Sequence, residues 1–363
     1  MFGSIKEINS KPKTVGNVFS TFSGCGGSSL GYKRAGYNVL GCLEFIDSAV
    51  ETYKANHPTT KIIHDDIRNV SGEQILNLIG LQKGELDILD GSPPCSAFSV
   101  CGIRDKGWGK VKTYSDKKQR VDDLFFEYVR IANELRPKVA MAENVIGLTQ
   151  ASSKSVLVDI LQSFRDIGYT ANYQILNGAD YGAPQLRRRL IFVFIRNDVA
   201  PKKFYYPIPT HQGHWITVND VIADVENDAE ELKMLLDAEE YYITYKLWHE
   251  LAIGKSHKVR FNLVRNNLYA PSYTLVANNS VISSAGLCHP LEKRRHTIAE
   301  CKRLMGFPDD YVLTGTWNQQ IERLGRSVNP QVIEAVAKEV YYQVLNKQAK
   351  REELPKLSNY FEL

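Results

Sequence analysis

Through the first two hundred residues, short apolar runs alternate with stretches whose apolar positions recur at helical spacing. Residues 15–22 read as a strand, and a helix follows over 28–35 with Ser28 as its cap. Residues 39–45 predict a second strand, 49–56 a helix, and 61–64 a third strand. Residues 86–89 form a short strand ending at Asp90-Gly91. Over 121–135, Leu124, Phe125, Tyr128, Val129, Ala132 and Leu135 fall on one helical face. A strand at 138–142, a helix marked by Val156, Leu157, Ile160, Leu161 and Phe164, and an apolar strand at 190–195 complete the series. This order predicts an α/β fold: a mainly parallel sheet with helices on both faces.

The rhythm breaks after Arg196. Pro201, Pro207, Pro209 and Gly213 punctuate the next stretch as loop. Periodicity stays weak to about residue 290, and a second, smaller domain is expected there. Helical patterning returns over 297–305 and 330–345, and the polar residues 346–363 read as a mobile tail.

Composition narrows the class. With 43% hydrophobic and 24% charged residues, the chain is that of an ordinary soluble globular protein. No apolar run reaches membrane-spanning length, and the start lacks an apolar signal core, so a cytoplasmic protein without membrane association is expected. The six cysteines form neither a Cys-x-x-Cys pair nor a zinc spacing. Reduced thiols and no metal are expected, and each cysteine taken alone reads as a small buried hydrophobe. A net charge of +4 permits nucleic-acid binding without indicating it. Basic clusters at 106–120, Arg187-Arg188-Arg189 and Lys293-Arg294-Arg295 are either phosphate contacts or solvated surface.

Two loops carry candidate chemistry. Phe22-Ser23-Gly24-Cys25-Gly26-Gly27 follows the first strand and opens a helix, where glycines let a ligand approach the backbone. Ser29 stands at the sixth place of G-x-G-x-x-G, so the dinucleotide fingerprint is incomplete. Glu44 ends the second strand, where an acid can accept from ribose hydroxyls, and Phe45 beside it can stack on an adenine. Asp66-Ile67 follows the third strand, where a carboxylate can accept from an adenine amino group. The second loop is Asp90-Gly91-Ser92-Pro93-Pro94-Cys95-Ser96, in which two prolines stiffen the chain before a cysteine. Glu143-Asn144-Val145 and Gln185-Leu186-Arg187-Arg188-Arg189 adjoin further predicted strands at the same sheet edge.

Taken in order, these segments resemble the DNA (cytosine-5)-methyltransferases of the bacterial restriction-modification type. Arg303-Leu304-Met305-Gly306-Phe307-Pro308 and Gly325-Arg326-Ser327-Val328 extend the resemblance over residues 17–345. It implies a Rossmann-like, S-adenosyl-L-methionine-dependent catalytic domain, discontinuous over 1–196 and 310–345. It also implies a target-recognition domain over 197–309. Cofactor contacts are implied for Phe22, Gly24, Gly26, Leu30, Glu44, Phe45, Asp66, Ile67, Pro93, Ser327 and Val328. Cys95 is the implied nucleophile, attacking C6 of a cytosine flipped out of duplex DNA. Glu143 then serves N3, Arg187 and Arg189 hold O2, and S-adenosyl-L-homocysteine is the product. Double-stranded DNA is the implied partner, a cognate restriction endonuclease acts separately, and the enzyme is a monomer associated with the bacterial nucleoid.

Several positions depart from the family pattern. Ser96 replaces the usual Gln after the cysteine, Ala299 precedes Glu300, Met305 replaces Gln, and Arg326 replaces Asn. Glu300 is expected to be structural. The transfer-RNA-methylating branch carries a Cys-Phe-Thr tripeptide that is missing from 200–290. Two further functions fit parts of the pattern: a catalytically dead DNA-binding regulator and a nicotinamide-dependent dehydrogenase. Intact Cys95, Glu143, Arg187 and Arg189 oppose the first, and the imperfect glycine fingerprint opposes the second.

Overall fold

A computed structural model describes residues 2–94, 123–199, 203–237, 246–278 and 286–346, together with the backbone of 111–113 and 118–120. The first strands are β1 (Asn17–Thr21), β2 (Asn38–Glu44), β3 (Lys61–His64) and β4 (Ile88–Gly91). A separate antiparallel pair follows, β5 (Val111–Thr113) and β6 (Lys118–Arg120). Then come β7 (Val139–Val145), β8 (Tyr169–Asn177) and β9 (Arg188–Arg196). Apart from the β5–β6 pair, these strands form one seven-stranded sheet in the order β3-β2-β1-β4-β7-β9-β8.

From β3 to β7 all neighbours are parallel, whereas β9 runs antiparallel to both β7 and β8. The mainly parallel sheet expected from the sequence is present. β8 was not expected, because several of its side chains are partly or fully exposed and it reads as neither a buried run nor a clean alternation. Strand order reverses between β1 and β4. That reversal opens a crevice at their carboxyl ends, the place where open α/β sheets bind ligands.

Successive strand residues feed opposite cores. Phe19 and Leu89 pack with helices Leu124–Leu135 and Lys154–Asp166, including Tyr128 and Phe164. Val18 and Ile88 pack with Tyr32, Val332, Ile333 and Val336 on the other face. That face holds helices Gly27–Arg34 and Pro330–Val340, which come very close: a Cβ on Gly31 would sit 2.5 Å from the Pro330 carbonyl oxygen. The last regular helix among the described residues thus returns to a core begun near the start of the chain. Helices Gly72–Ile79 and Trp317–Arg326 were not expected, although each opens on a capping box, Ser71/Gln74 and Thr316/Gln319.

The weakly patterned stretch contains helices Val218–Ile222 and Ala229–Asp237 and a small parallel sheet of β10 (Leu263–Arg265) and β11 (Gly286–Cys288). Helix Ile298–Leu304 follows. Leu275, Leu287, Met305 and Phe307 share one apolar cluster with Cys25 and Leu30 of the glycine-loop region. Among the described residues, no helix is long and apolar enough to cross a membrane.

Candidate active site

A cavity of about 880 Å³ opens at the carboxyl ends of β1, β2, β4 and β7. Its wall on the β1 side is the glycine loop. Phe22 adopts φ +52°, a left-handed conformation unfavourable for a bulky residue and held here by its surroundings. Gly24 follows at φ +54°, and a Cβ there would meet no protein atom within 4 Å, which leaves the backbone open to the cavity. Glu44 anchors the loop. Its Oε2 accepts from Gly24 N at 2.6 Å, and its Oε1 accepts from Phe45 N and Ile46 N, each at 2.9 Å. A carboxylate has about four acceptor positions, so Oε2 keeps one for a hydroxyl donor.

Of the residues expected to contact a cofactor, Phe22, Gly24, Glu44, Phe45, Ile67, Pro93, Ser327 and Val328 line this cavity. Three expected contacts do not line it. Gly26 sits behind the loop at φ +89°, where a Cβ would meet His57 Nε2 at 2.5 Å. Leu30 is fully buried beneath the loop. Asp66 caps the next turn, accepting from Arg68 N at 3.1 Å and pairing with the Arg68 guanidinium at 3.0 Å. Of the two adjacent acids it is Asp65, one position earlier, that lines the cavity, and its Oδ1 accepts from Asp66 N at 2.6 Å and Asn69 Nδ2 at 2.8 Å. Nothing in the residue pattern distinguishes the two adjacent acids.

The reactive-side wall comes from β7 and β9. Glu143 Oε1 and Arg189 Nε form a 2.8 Å ion pair, and both residues line the cavity. The antiparallel register sets Val145 opposite Arg189, which brings Glu143, two residues back on the same face, within diagonal reach. Arg187 lines the same cavity but is engaged elsewhere. Its Nη1 donates to Leu275 O at 3.1 Å and its Nη2 to Gly325 O at 3.0 Å. Burial, followed by the adjacent Arg189 charge, lowers its pKa well below the usual arginine range, while Glu143 opposes the shift. Arg187 therefore ties three chain segments together while lining the cavity. Asn144 donates to the Pro93 carbonyl at 3.5 Å and accepts from Val145 N at 2.8 Å, steadying the run into Pro94. Cys95, Ser96 and the side chains of the basic cluster at 106–120 lie outside the described residues.

The far wall was missed by sequence reasoning. Tyr273 to Asn278 line the cavity beside Arg187, and Leu186 N donates to Ser272 O at 2.7 Å. This stretch shows no periodicity, because it forms neither helix nor strand. Ser256, Phe261 and Asn262 complete the rim.

Other residues singled out by type separate into buried and exposed sets. Arg294 and Arg295 are buried, and Arg294 pairs with Glu300 at 2.8 Å, so these two arginines form no basic surface. Glu300 also accepts from His296 Nδ1 at 2.9 Å and is structural, as expected. Arg265 lies 3.8 Å over the Trp248 ring and donates to Pro290 O, while Asn266 is buried against Ser272 and His296. Tyr205, Tyr206, His211, His214, Trp215 and Asn267 lie outside the cavity lining. Of the departures, Met305 is buried in the apolar cluster, and Arg326 forms a 2.8 Å pair with Glu322 at the cavity wall.

The family model for C-5 cytosine-specific DNA methylases matches residues 16–342. A type II methyltransferase of Bacillus sp. (strain RFL6), M.Bsp6I, is 31% identical over 343 residues, covering 90% of this chain and 99% of the relative. M1.HphI of Haemophilus parahaemolyticus is 29% identical over 335 residues, covering 88% and 85%. Among solved structures, a DNMT2 from Spodoptera frugiperda superimposes with a TM-score of 0.66 at 18% identity, covering 90% of this chain and 99% of that one, a likeness of fold. The chain belongs to the C-5 cytosine-specific DNA methylases. Its reaction is methyl transfer to carbon 5 of cytosine in DNA, in a family that uses S-adenosylmethionine.

Proposed function

We propose that this cavity binds S-adenosylmethionine at its glycine-loop end and a flipped cytosine at its Glu143 end, with Cys95 as nucleophile. The observation that carries the reading is the shared cavity: the Glu44-anchored loop, Pro93-Pro94 and the Glu143–Arg189 pair all face it. The cofactor half fits its ligand. Glu44 keeps an acceptor position for a ribose hydroxyl, Phe45 and Ile67 offer apolar faces for adenine, and Asp65 lines the same end of the cavity. A volume of about 880 Å³ is within the range of sites that enclose a cofactor and a reacting base.

Cytosine C5 is a weak nucleophile toward a methyl donor. Addition of the Cys95 thiolate to C6 pushes electron density onto C5 and builds negative charge at N3 and O2. Glu143 stands where a carboxyl group can donate a proton or hydrogen bond at N3, and Arg189, its ion-pair partner in the free enzyme, supplies charge-assisted hydrogen bonds at O2. When bound, S-adenosylmethionine supplies the electrophilic methyl group for C5. Water then takes the C5 proton, and the ring expels the Cys95 thiolate.

The same reading makes 197–309 a target-recognition domain and 1–196 with 310–345 the catalytic domain, with double-stranded DNA between them. The likeness to type II methyltransferases supports a role beside a separately acting restriction endonuclease, and the same reading makes the protein a monomeric bacterial enzyme of the cytoplasm and nucleoid. Cys95→Ser should abolish transfer to cognate DNA while S-adenosylhomocysteine still binds. A 5-fluorocytosine target should trap a covalent adduct through Cys95 in the wild type. Full activity in Cys95→Ser, or no adduct on a methylatable site with the methyl donor present, would overturn the assignment.

A further inference from the structure

Asp90 lies in β4 and takes no part in the cavity wall, yet its carboxylate is buried at the base of both functional loops. Oδ2 accepts from Ser20 Oγ at 2.6 Å and from Ser28 Oγ at 2.7 Å. Oδ1 accepts from Tyr32 Oη at 3.1 Å, and the Asp90 carbonyl accepts from Thr21 Oγ1 at 3.0 Å. Ser20 and Thr21 lie at the end of β1, just before the glycine loop, and Ser28 lies in the first helical turn just after it. One oxygen therefore clamps the two ends of the loop that begins at Phe22. The chain leaving Asp90 runs directly through Ser92 and Pro93 toward Cys95.

We infer that Asp90 is a positioning residue whose ionised carboxylate holds the cofactor loop closed at its base and fixes it in register with the cysteine loop. This role rests on the cofactor reading and goes beyond it, because no group of Asp90 lines the cavity.

The clamp is costly, which separates it from ordinary core packing. Burial raises the Asp90 pKa to about 6 despite the three hydroxyl donors, and the Glu143 charge adds to the rise. The groups facing it are Ser20 and Thr21 from β1, Ser28 and Tyr32 from the helix behind the loop, Tyr128 from the opposite face, and Glu143 from β7. A raised carboxyl pKa means that the folded state favours the proton, so the ionised form at neutral pH works against stability. A residue kept only for packing would gain from being made neutral. A residue kept for its charge would lose function in the same change.

Asp90→Asn provides the test. The variant should melt no lower than the wild type at pH 7.5. It should bind S-adenosylhomocysteine, without DNA, about tenfold more weakly, the worth of one hydrogen bond to a charged acceptor. Wild-type affinity should fall as pH drops through about 6, and the variant's affinity should be flat there. Glu143→Gln, measured by cofactor binding alone, should keep a fall in affinity on the acid side but move it below about 6, because one cause of the raised Asp90 pKa is gone; this assigns the titration to Asp90. Ser28→Ala, which removes a single donor to the ionised carboxylate, should give a smaller loss, with the acid-side fall moved above about 6. If wild type and Asp90→Asn bind equally at every pH, the inference is wrong. If the wild type itself does not bind S-adenosylhomocysteine, the cofactor reading fails instead.

Discussion

Two arginines from one short motif have been given different work. Arg189 faces the cavity and is held by Glu143, whereas Arg187 spends its guanidinium on the carbonyls of Leu275 and Gly325. Arg187→Met should therefore lower stability, since it strands two buried acceptors, at a cost of about 1–3 kcal/mol each. Arg189→Met should leave the melting temperature nearly unchanged and reduce kcat. Glu143→Gln should cut kcat by about 10²–10⁴-fold, the range of a lost general acid, with cofactor affinity preserved. Thermal melts and single-turnover rates on the three variants separate these outcomes. Equal melting losses in both arginine variants would erase the distinction. The motif was legible in the sequence, and so was the meeting of Arg189 with Glu143 at one sheet edge. The division of labour was not, because the carbonyls that claim Arg187 lie 88 and 138 residues away. The choice between Asp65 and Asp66 was hidden for a similar reason: it depends on where Arg68 reaches.

Among the elements, the buried central strands and the edge strand β3 were readable, whereas the edge strand β8 and the helices Gly72–Ile79 and Trp317–Arg326 were not. Trp317–Arg326 offers only Ile321 and Leu324 as buried aliphatic residues and buries Arg323 between them, so its apolar positions share a face but are few in a mostly polar sequence. Its capping box was the visible signal. The turn before β10 is built by a different local device. His257 is buried, and its Nδ1 accepts from Val259 N at 3.3 Å and Arg260 N at 3.0 Å. Lys258, Val259 and Phe261 are thereby turned outward, and Phe261, 67% exposed, reaches the cavity rim. A basic turn with an exposed aromatic beside the site suits duplex DNA better than water. Lys258→Ala and Arg260→Ala should each reduce the slope of log affinity against log salt by about 0.9 on cognate DNA. Phe261→Ala should weaken DNA binding without changing cofactor affinity. Unchanged salt slopes in both charge variants would remove this turn from the DNA path.

At the scale of the whole molecule, the half of the chain after the sheet is held by buried charge as much as by apolar packing, and this sets its response to acid. His289 lies beside His296, Arg294, Glu300 and Glu292. Burial, then the neighbouring His296 and Arg294, lowers its pKa to about 3. Its Nδ1 accepts from Leu291 N and Glu292 N, an arrangement that requires the neutral ring. Glu300 is held well below the usual carboxylate range: burial opposes ionisation, but hydrogen bonds from His296 and Arg294 outweigh it. The signs agree. An unfolded histidine takes its proton near pH 6.5 and the folded one resists it, so stability present above about 6.5 is lost as pH falls toward about 3. Below about pH 4.3 the unfolded state also takes the proton that folded Glu300 refuses, and the loss steepens. The slope from His289 alone is at most about 1.4 kcal/mol per pH unit. His289→Gln can still accept from the two backbone N–H groups and carries no titration. Urea midpoints between pH 7 and 4.5 should fall more steeply for the wild type than for this variant, which keeps the acid sensitivity of buried His57, whose pKa burial also lowers. Parallel curves would show that the acid sensitivity lies elsewhere. Helix Ile298–Leu304 carries Glu300 and leads directly into Met305 and Phe307, which pack with Cys25 of the glycine loop. Acid loosening of this network should therefore reach the cofactor side through packing, apart from any titration of Asp90, and the His289→Gln variant separates the two routes.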